Sequence, residues 1–198
     1  MPIPMEKKYT AEEFLKMELP ERCELIGGEI FPGETAEKYD PLTDKPVCLS
    51  APSQIHQRIS RELLYAITDY IRKNKGRCEA FAAPSDVKLD ESNIVQPDIF
   101  VTCDPGRLDG QFHNGAPDWI IEILSPSTLR RDFSKKLSLY KSFGVREYWI
   151  VDPTDSRVIV YWFENGAVTE LYTFSDDIPV HIYENAPSPL TIHLADNL

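Results

Sequence analysis

No run in these 198 residues approaches the ~18 consecutive apolar residues of a membrane span. The longest, at 119–124 and 158–163, are strand-sized. The opening MPIPMEKKYT has no apolar h-region of the secretory kind. The expectation is a soluble, cytoplasmic protein with no membrane partner. Cysteine is sparse. Cys23, Cys48, Cys78 and Cys103 form no CxxC and no Cys-His pair, which argues against zinc. In a chain without an export signal they are expected as four reduced thiols packed as small hydrophobes. With 9 glycines there is no glycine-rich phosphate loop and no GxSxG, so Rossmann and P-loop readings have nothing to rest on. No nucleophile–base pair stands out either, which puts a small-molecule hydrolase last among the readings.

The composition, 42% hydrophobic and 27% charged, is that of a globular chain with one core. Its length predicts a single domain, 1–198. A net charge of -11 argues at first against nucleic acid, because phosphate affinity comes from Lys and Arg. The distribution reverses part of that. Residues 56–77 and 130–146 together carry 12 basic and 3 acidic groups, and the remainder carries 9 basic and 29 acidic. Both segments have helical patterning.

Thr10 followed by Glu13 is a capping box that predicts a helix over 11–18. CELIGGEIF reads as a hairpin about Gly27-Gly28, and residues 32–47 as an acidic surface loop. Ile55, Ile59, Leu63, Ile67, Tyr70 and Ile71 recur at helical spacing over 53–75, with Gly76 as the stop. CEAFAA, DVKLD and IVQPDIFVTC read as strands, the last two joined by a turn at ESN. DWIIEIL is a buried-strand run, Ser127 or Thr128 caps a helix to about Phe143, and REYWIVD is a second buried strand. VIVYWF and VTELYTF close the pattern as a hairpin, followed by a weakly patterned, proline-bearing tail. This order predicts an α/β fold with a mixed central sheet flanked by helices. The core spans about 50–153, with a helix and hairpin at 9–31 and a hairpin and tail at 157–198.

The informative residues break the apolar pattern. Glu122 interrupts WIIEIL and Asp98 interrupts IVQPDIFV. A lone buried carboxylate costs several kcal/mol unless it is paired, protonated or metal-bound. Each acid could pair with a structural arginine or cap a loop. Together, at one sheet edge, they are hard oxygen ligands for Mg²⁺ or Mn²⁺. At 100° per residue Leu129, Phe133, Tyr140 and Phe143 form one stripe of the second helix; Lys136 falls within it and Lys135 points away. Lys136 either reaches the carboxylates or lays its stem over apolar surface. Two carboxylates, a metal and a lysine are the parts of metal-assisted phosphodiester hydrolysis. Arg58, Arg61, Arg130, Arg131 and Lys135 are then candidates to hold a nucleic-acid backbone.

Gln96-Pro97-Asp98, then Glu122 to Thr128 (EILSPST), then Asp132, Lys136 and Tyr140, then EYWIVDP from Glu147 resemble, in order, the Uma family of putative restriction endonucleases in the PD-(D/E)xK superfamily. ELIGGE at 24–29 resembles that family's hairpin, and His56-Gln57 its HQ at the head of the first long helix. The resemblance runs from about Tyr9 to Phe174. It implies a restriction-endonuclease-like core and a divalent-metal site at Asp98 and Glu122. The superfamily's lysine would stand two residues after Glu122, where this chain has Leu124; the resemblance makes Lys136 the substitute. Glu24 is then the candidate additional acid, against the reading of an exposed hairpin glutamate. His56 and Gln96 are site neighbours; for His56 a satisfied core or helix-start role competes with ligation.

The function expected is a Mg²⁺-dependent endonuclease acting on DNA, for which two-strand cutting would favour a homodimer. The alternative is a catalytically silent nucleic-acid-binding or interaction protein on the same fold, for which the overall acidity and Leu124 speak.

Overall fold

The computed structural model describes residues 7–19, 23–32, 38–40, 45–47, 53–124, 132–164 and 168–195. Thr10 caps α1 (Ala11–Leu15): its hydroxyl accepts the Glu13 N–H while the Glu13 carboxylate accepts the Thr10 N–H. The helix is shorter than the pattern predicts. The strands β1 (Cys23–Ile26) and β2 (Glu29–Pro32) pair antiparallel about Gly27 and Gly28, both at positive φ as a tight hairpin turn requires. Within the stretch read as a loop, β3 (Lys38–Asp40) and β4 (Lys45–Val47) pair as a short antiparallel ladder.

The long helix α2 (Gln54–Lys73) starts at Ser53, whose side chain accepts the His56 N–H, and buries His56, Ile59, Leu63, Ile67 and Ile71. Its stop differs from the one expected. Lys75, not Gly76, adopts the left-handed conformation, while the Gly76 N–H returns to the Ile71 carbonyl. That is the hydrogen-bond pattern a glycine usually completes at the position before.

The remaining strands are β5 (Glu79–Ala82), β6 (Val87–Asp90), β7 (Asn93–Val95), β8 (Ile99–Thr102), β9 (His113–Asn114) and β10 (Trp119–Ile123). After α3 (Asp132–Phe143) come β11 (Glu147–Asp152), β12 (Arg157–Trp162), β13 (Val168–Thr173), β14 (Ile178–Pro179) and β15 (Thr191–Ile192). A six-stranded sheet runs β13-β12-β11-β10-β8-β5, parallel only between β10 and β11. A second sheet runs β2-β1-β7-β6-β9. The mixed central sheet flanked by helices, with hairpins at β1–β2 and β12–β13, is therefore as expected.

Alternation sorts the six-stranded sheet into two cores. Trp119, Ile121, Ile123, Trp149 and Val151 pack with the buried stripe of α2. Ile120, Tyr148, Ile150 and Phe100 pack instead with Tyr140 of α3 and with Val87, Leu89 and Val95 of the second sheet. The proline-bearing tail is not peripheral. Phe174, Ile178, Val180, Leu190, Ile192 and Leu194 join the α2 core, from strands too short to show a period.

Two expectations are corrected. IVQPDIFVTC is not one strand, because β7 belongs to the second sheet and β8 to the first. Pro97 has no N–H to continue a ladder, and the Gln96 N–H is taken by the Glu24 side chain. Nor are all the cysteines thiols. Cys78 and Cys103 form a disulfide, one register step beyond the Glu79–Thr102 pair of β5 and β8. Cross-strand register brings together two residues 25 apart in sequence, which spacing alone does not reveal. Cys23 is buried and takes no part in this disulfide, and Cys48 lies outside the described residues. Among the described residues no helix is long and apolar enough to cross a membrane.

Candidate active site

Five elements converge at one end of the six-stranded sheet. Glu122 stands near the end of β10 and Asp98 immediately before β8. Because Ile99 pairs with Ile121, Asp98 lies one register step further along, opposite Glu122. The Asp98 Oδ2 atom accepts the Ile123 N–H at 2.9 Å and faces His56 Nε2 at 3.1 Å. His56 is in turn fixed by its backbone bond to Ser53 at the head of α2. Asp98 is 4% exposed, Glu122 5%, Glu24 6% and Lys136 6%, so all four charged groups are out of solvent.

Lys136 projects from α3 into this cluster. Its Nζ lies 3.0 Å from Glu122 Oε1 and 3.0 Å from Glu24 Oε1. Burial alone would pull the ammonium down, but the Glu122 and Glu24 charges outweigh it and hold the lysine well above its usual value. The lysine is therefore a fixed cation at any ordinary pH. Tyr140, one helical turn beyond Lys136, donates to the same Glu122 oxygen at 2.7 Å. Burial, then the Glu122 charge, pushes the Tyr140 phenol well above its usual value, so it remains a donor. Glu24 arrives from β1 of the second sheet and also accepts the Gln96 N–H at 2.9 Å. It is thus a buried member of the cluster, not an exposed hairpin residue.

The other sequence-derived candidates fall into place around this centre. Gln96 contributes its backbone N–H, while its side-chain amide turns away to Asp86. Arg58 is exposed on α2. Arg61, also exposed, spends its guanidinium on Glu62 at 2.7 and 3.0 Å. Lys135 points outward, as the helical wheel indicates, with its ammonium 4.3 Å over the Phe31 ring. Arg130 and Arg131 lie outside the described residues, as does the expected Ser127 or Thr128 cap. Tyr140 was legible as part of an apolar stripe and as one residue of the family resemblance, but not as a site residue; its spacing of four from Lys136 was the available signal.

Among the described residues no three His, Cys, Asp or Glu side chains converge on one point as metal ligands. The donor set fits a smaller demand. Asp98 commits only Oδ2 to hydrogen bonds among the described residues, which leaves Oδ1 as a hard oxygen donor beside Glu122. Two carboxylates with retained water suit Mg²⁺, which dehydrates reluctantly and seldom takes an all-protein cage. Asp98 and Glu122 are the residues that would hold a small divalent cation, with the Lys136 ammonium 3.0 Å from Glu122.

Comparison with known proteins agrees with this architecture. The model of the Uma2 family, described as putative restriction endonuclease, matches residues 11–187. An uncharacterised protein of Synechocystis sp. is 28% identical over 159 residues, 78% of this chain and 74% of the relative. A crystal structure of a putative nuclease from Anabaena variabilis superposes with a TM-score of 0.71 at 24% identity, covering 98% of this chain and 97% of that one. The shared fold is restriction-endonuclease-like, and the chain belongs to the Uma2 family of putative restriction endonucleases.

Proposed function

We propose that the protein is a divalent-metal-dependent endonuclease that hydrolyses phosphodiester bonds of DNA. Asp98 and Glu122 hold the metal and Lys136 assists the attacking water. The observation that carries this reading is the buried Lys136 ammonium, placed between Glu122 and Glu24 beside the strand end where Asp98 faces Glu122. A Mg²⁺ or Mn²⁺ ion, when bound, supplies Lewis-acid charge neutralisation and makes water more acidic. The protein's own groups do the rest. Ile123 N–H and His56 orient Asp98. Tyr140 and Lys136 fix one oxygen of Glu122. The Lys136 charge would stabilise negative charge developing on a phosphate bound beside Glu122. Arg58 and Lys135, with Arg61, Arg130 and Arg131, are the groups proposed to hold the backbone, and affinity through them falls with salt.

The second reading, a catalytically silent binding protein, is favoured by one feature: Lys136 already neutralises part of the acid cluster, and Leu124 occupies the position two residues after Glu122. Calorimetric titration of Mg²⁺ and Mn²⁺ into wild type, Asp98→Asn and Glu122→Gln separates the two. The nuclease reading expects binding by wild type that both variants lose, and metal-dependent cleavage of plasmid DNA abolished in Glu122→Gln with the fold retained. Cleavage at the wild-type rate by Glu122→Gln would sink the site assignment. Lys136→Ala is expected to lower turnover more than metal affinity. A folded wild type that binds no metal, with or without DNA, favours the silent protein.

A further inference from the structure

The Cys78–Cys103 bridge closes one end of a ladder whose other end is the candidate site. The Ala83 N–H donates to the Asp98 carbonyl at 2.9 Å, so that pair is a hydrogen-bonded rung beside β5 and β8. Rungs alternate along an antiparallel ladder. Phe81–Phe100 and Glu79–Thr102 are therefore bonded pairs, and Cys78 faces Cys103 at a non-bonded position. The Cys103 N–H accordingly turns the other way, to Asp118 Oδ2 at 2.7 Å. Among the described residues β5 is an outer strand of four residues, paired only with β8. Both cysteines are half-buried, so the bridge is within reach of solvent.

Cys103 lines a cavity of about 180 Å³, and Cys78 does not. Arg77, Arg107 and Arg146 share its walls with Asp104 and Asp118. Arg146 is held by Asp118 and Glu164, and Arg107 by the Ala116 carbonyl at 2.7 Å with Asp104 at 3.5 Å. Among the described residues Arg77 has no carboxylate within ion-pair distance. Three guanidiniums against two carboxylates leave the cavity locally positive in a chain whose net charge is -11. Cations beside a cysteine sulfur favour its thiolate, the form that attacks and the form that leaves in disulfide exchange.

We infer that Cys78–Cys103 is a reversible thiol–disulfide exchange site for small thiols that carry an anionic group, and that its reduction loosens β5 from β8. The incoming thiolate bonds to the Cys103 Sγ atom exposed to the cavity. The electron pair of the S–S bond leaves with Cys78 Sγ, which takes a proton from water. A second thiolate attacks the added sulfur, forms the reagent's own disulfide and releases Cys103 as a thiolate. Two reagent thiols are thus oxidised to one disulfide while the bridge is reduced to two thiols. Arg77 draws the anionic reagent to the cavity. Once the bridge is open, β5 keeps only its short ladder and its packing in the α2 core. It frays from Cys78 toward Ala83, whose N–H holds the backbone of Asp98.

The oxidised full chain is treated at low salt, without denaturant, with mercaptoethanesulfonate or with neutral mercaptoethanol at equal thiolate concentration. Acid-quenched samples are mapped by mass spectrometry. Both reagents are expected to open the bridge, the sulfonate about threefold or more faster, with the transient adduct on Cys103. Arg77→Gln should erase the sulfonate's advantage and leave the neutral rate unchanged. On reduction the Phe81 and Ala83 amides should exchange with deuterium about tenfold or more faster, and reoxidation should restore their protection. Cys78→Ser/Cys103→Ser should show the fast exchange with no thiol present. A bridge that opens only in denaturant overturns the exchange site. Equal or slower reduction by the sulfonate overturns the anionic class, and an adduct on Cys78 overturns the direction of attack. Unchanged exchange at Phe81 and Ala83 after reduction overturns the loosening of β5. None of these readouts depends on metal at Asp98 and Glu122, which titration tests separately.

Discussion

Replacing Lys136 by methionine removes the ammonium and keeps most of the stem. Two carboxylate oxygens then lose a charge-assisted donor each at 3.0 Å, in a site where Glu122 is 5% and Glu24 6% exposed. Glu122 keeps its bond from Tyr140 and Glu24 keeps the Gln96 N–H. Breaking a buried ion pair from one side costs about 3–5 kcal/mol, because the remaining charge stays desolvated. In a chain of 198 residues that lowers Tm by roughly 6–20 °C. The pH dependence carries the cause. In wild type the lysine is held well above its usual value, so its contribution is fully present below about pH 10 and is lost only as pH rises through the elevated value. In the variant two buried carboxylate positions are left without the ammonium, and burial disfavours an unpaired charge. The deficit should therefore shrink as pH is lowered from neutral toward the ordinary glutamate range. Urea denaturation of wild type, Lys136→Met, Glu122→Gln and the double variant between pH 5 and 8 measures both the loss and the coupling. A loss under about 1 kcal/mol at pH 7, or one that grows on acidification, would refute the placement of a committed ammonium between the two acids.

Three further outcomes are expected. Glu147, fully buried on β11, is pushed by burial to about 7 despite bonds from Trp149 Nε1 and the Ile182 N–H. Its stabilising protonated form is present below the ordinary glutamate range and is lost as pH rises through 7, so wild type should lose on the order of 3 kcal/mol by alkaline pH. Glu147→Gln should flatten that slope in pH-dependent denaturation, with residual slope from His181, which burial lowers but Glu170 and Glu147 raise. Removing the disulfide as Cys78→Ser/Cys103→Ser opens a loop of 25 residues and should cost about 3–4 kcal/mol in urea melts under non-reducing conditions. Glu24→Gln keeps an acceptor for Lys136 and the Gln96 N–H, whereas Glu24→Ala strands both donors, so alanine should be the more destabilising by 1–3 kcal/mol; equal losses would mean that only the charge matters.

How much was legible in the sequence depended on whether a residue's role was local. The stripe of α2, the paired glycines at Gly27 and Gly28, and the buried run of β10 are one-dimensional patterns, and each folded as read. Glu122 and Lys136 could be singled out because each breaks such a pattern, and Lys135 could be set apart from Lys136 by angle alone. What depends on register was hidden. The Cys78–Cys103 pair follows from the β5–β8 ladder, and the approach of Glu24 to Lys136 follows from β1 lying beside β7. The tail failed differently, since strands of two residues have no period to detect.

The break at Gln96-Pro97-Asp98 ties the fold to the site. Had 93–102 been one continuous strand, Asp98 would have sat within a ladder and Glu24 would have had no backbone donor to accept. Proline removes one N–H, and the adjacent Gln96 N–H becomes available to a side chain from the second sheet. Glu24 takes it, and the same oxygen then receives Lys136. Three residues later the chain enters β8, and Asp98 stands at the sheet's end, where the Ile123 N–H on β10 orients its carboxylate. One interruption therefore separates the two sheets, places an acid at the mouth of the first, and draws an acid of the second toward the lysine of α3. The hairpin at 23–32 belongs to the site as much as β10 does, because without Glu24 the lysine keeps, among the described residues, only Glu122 as an ion-pair partner.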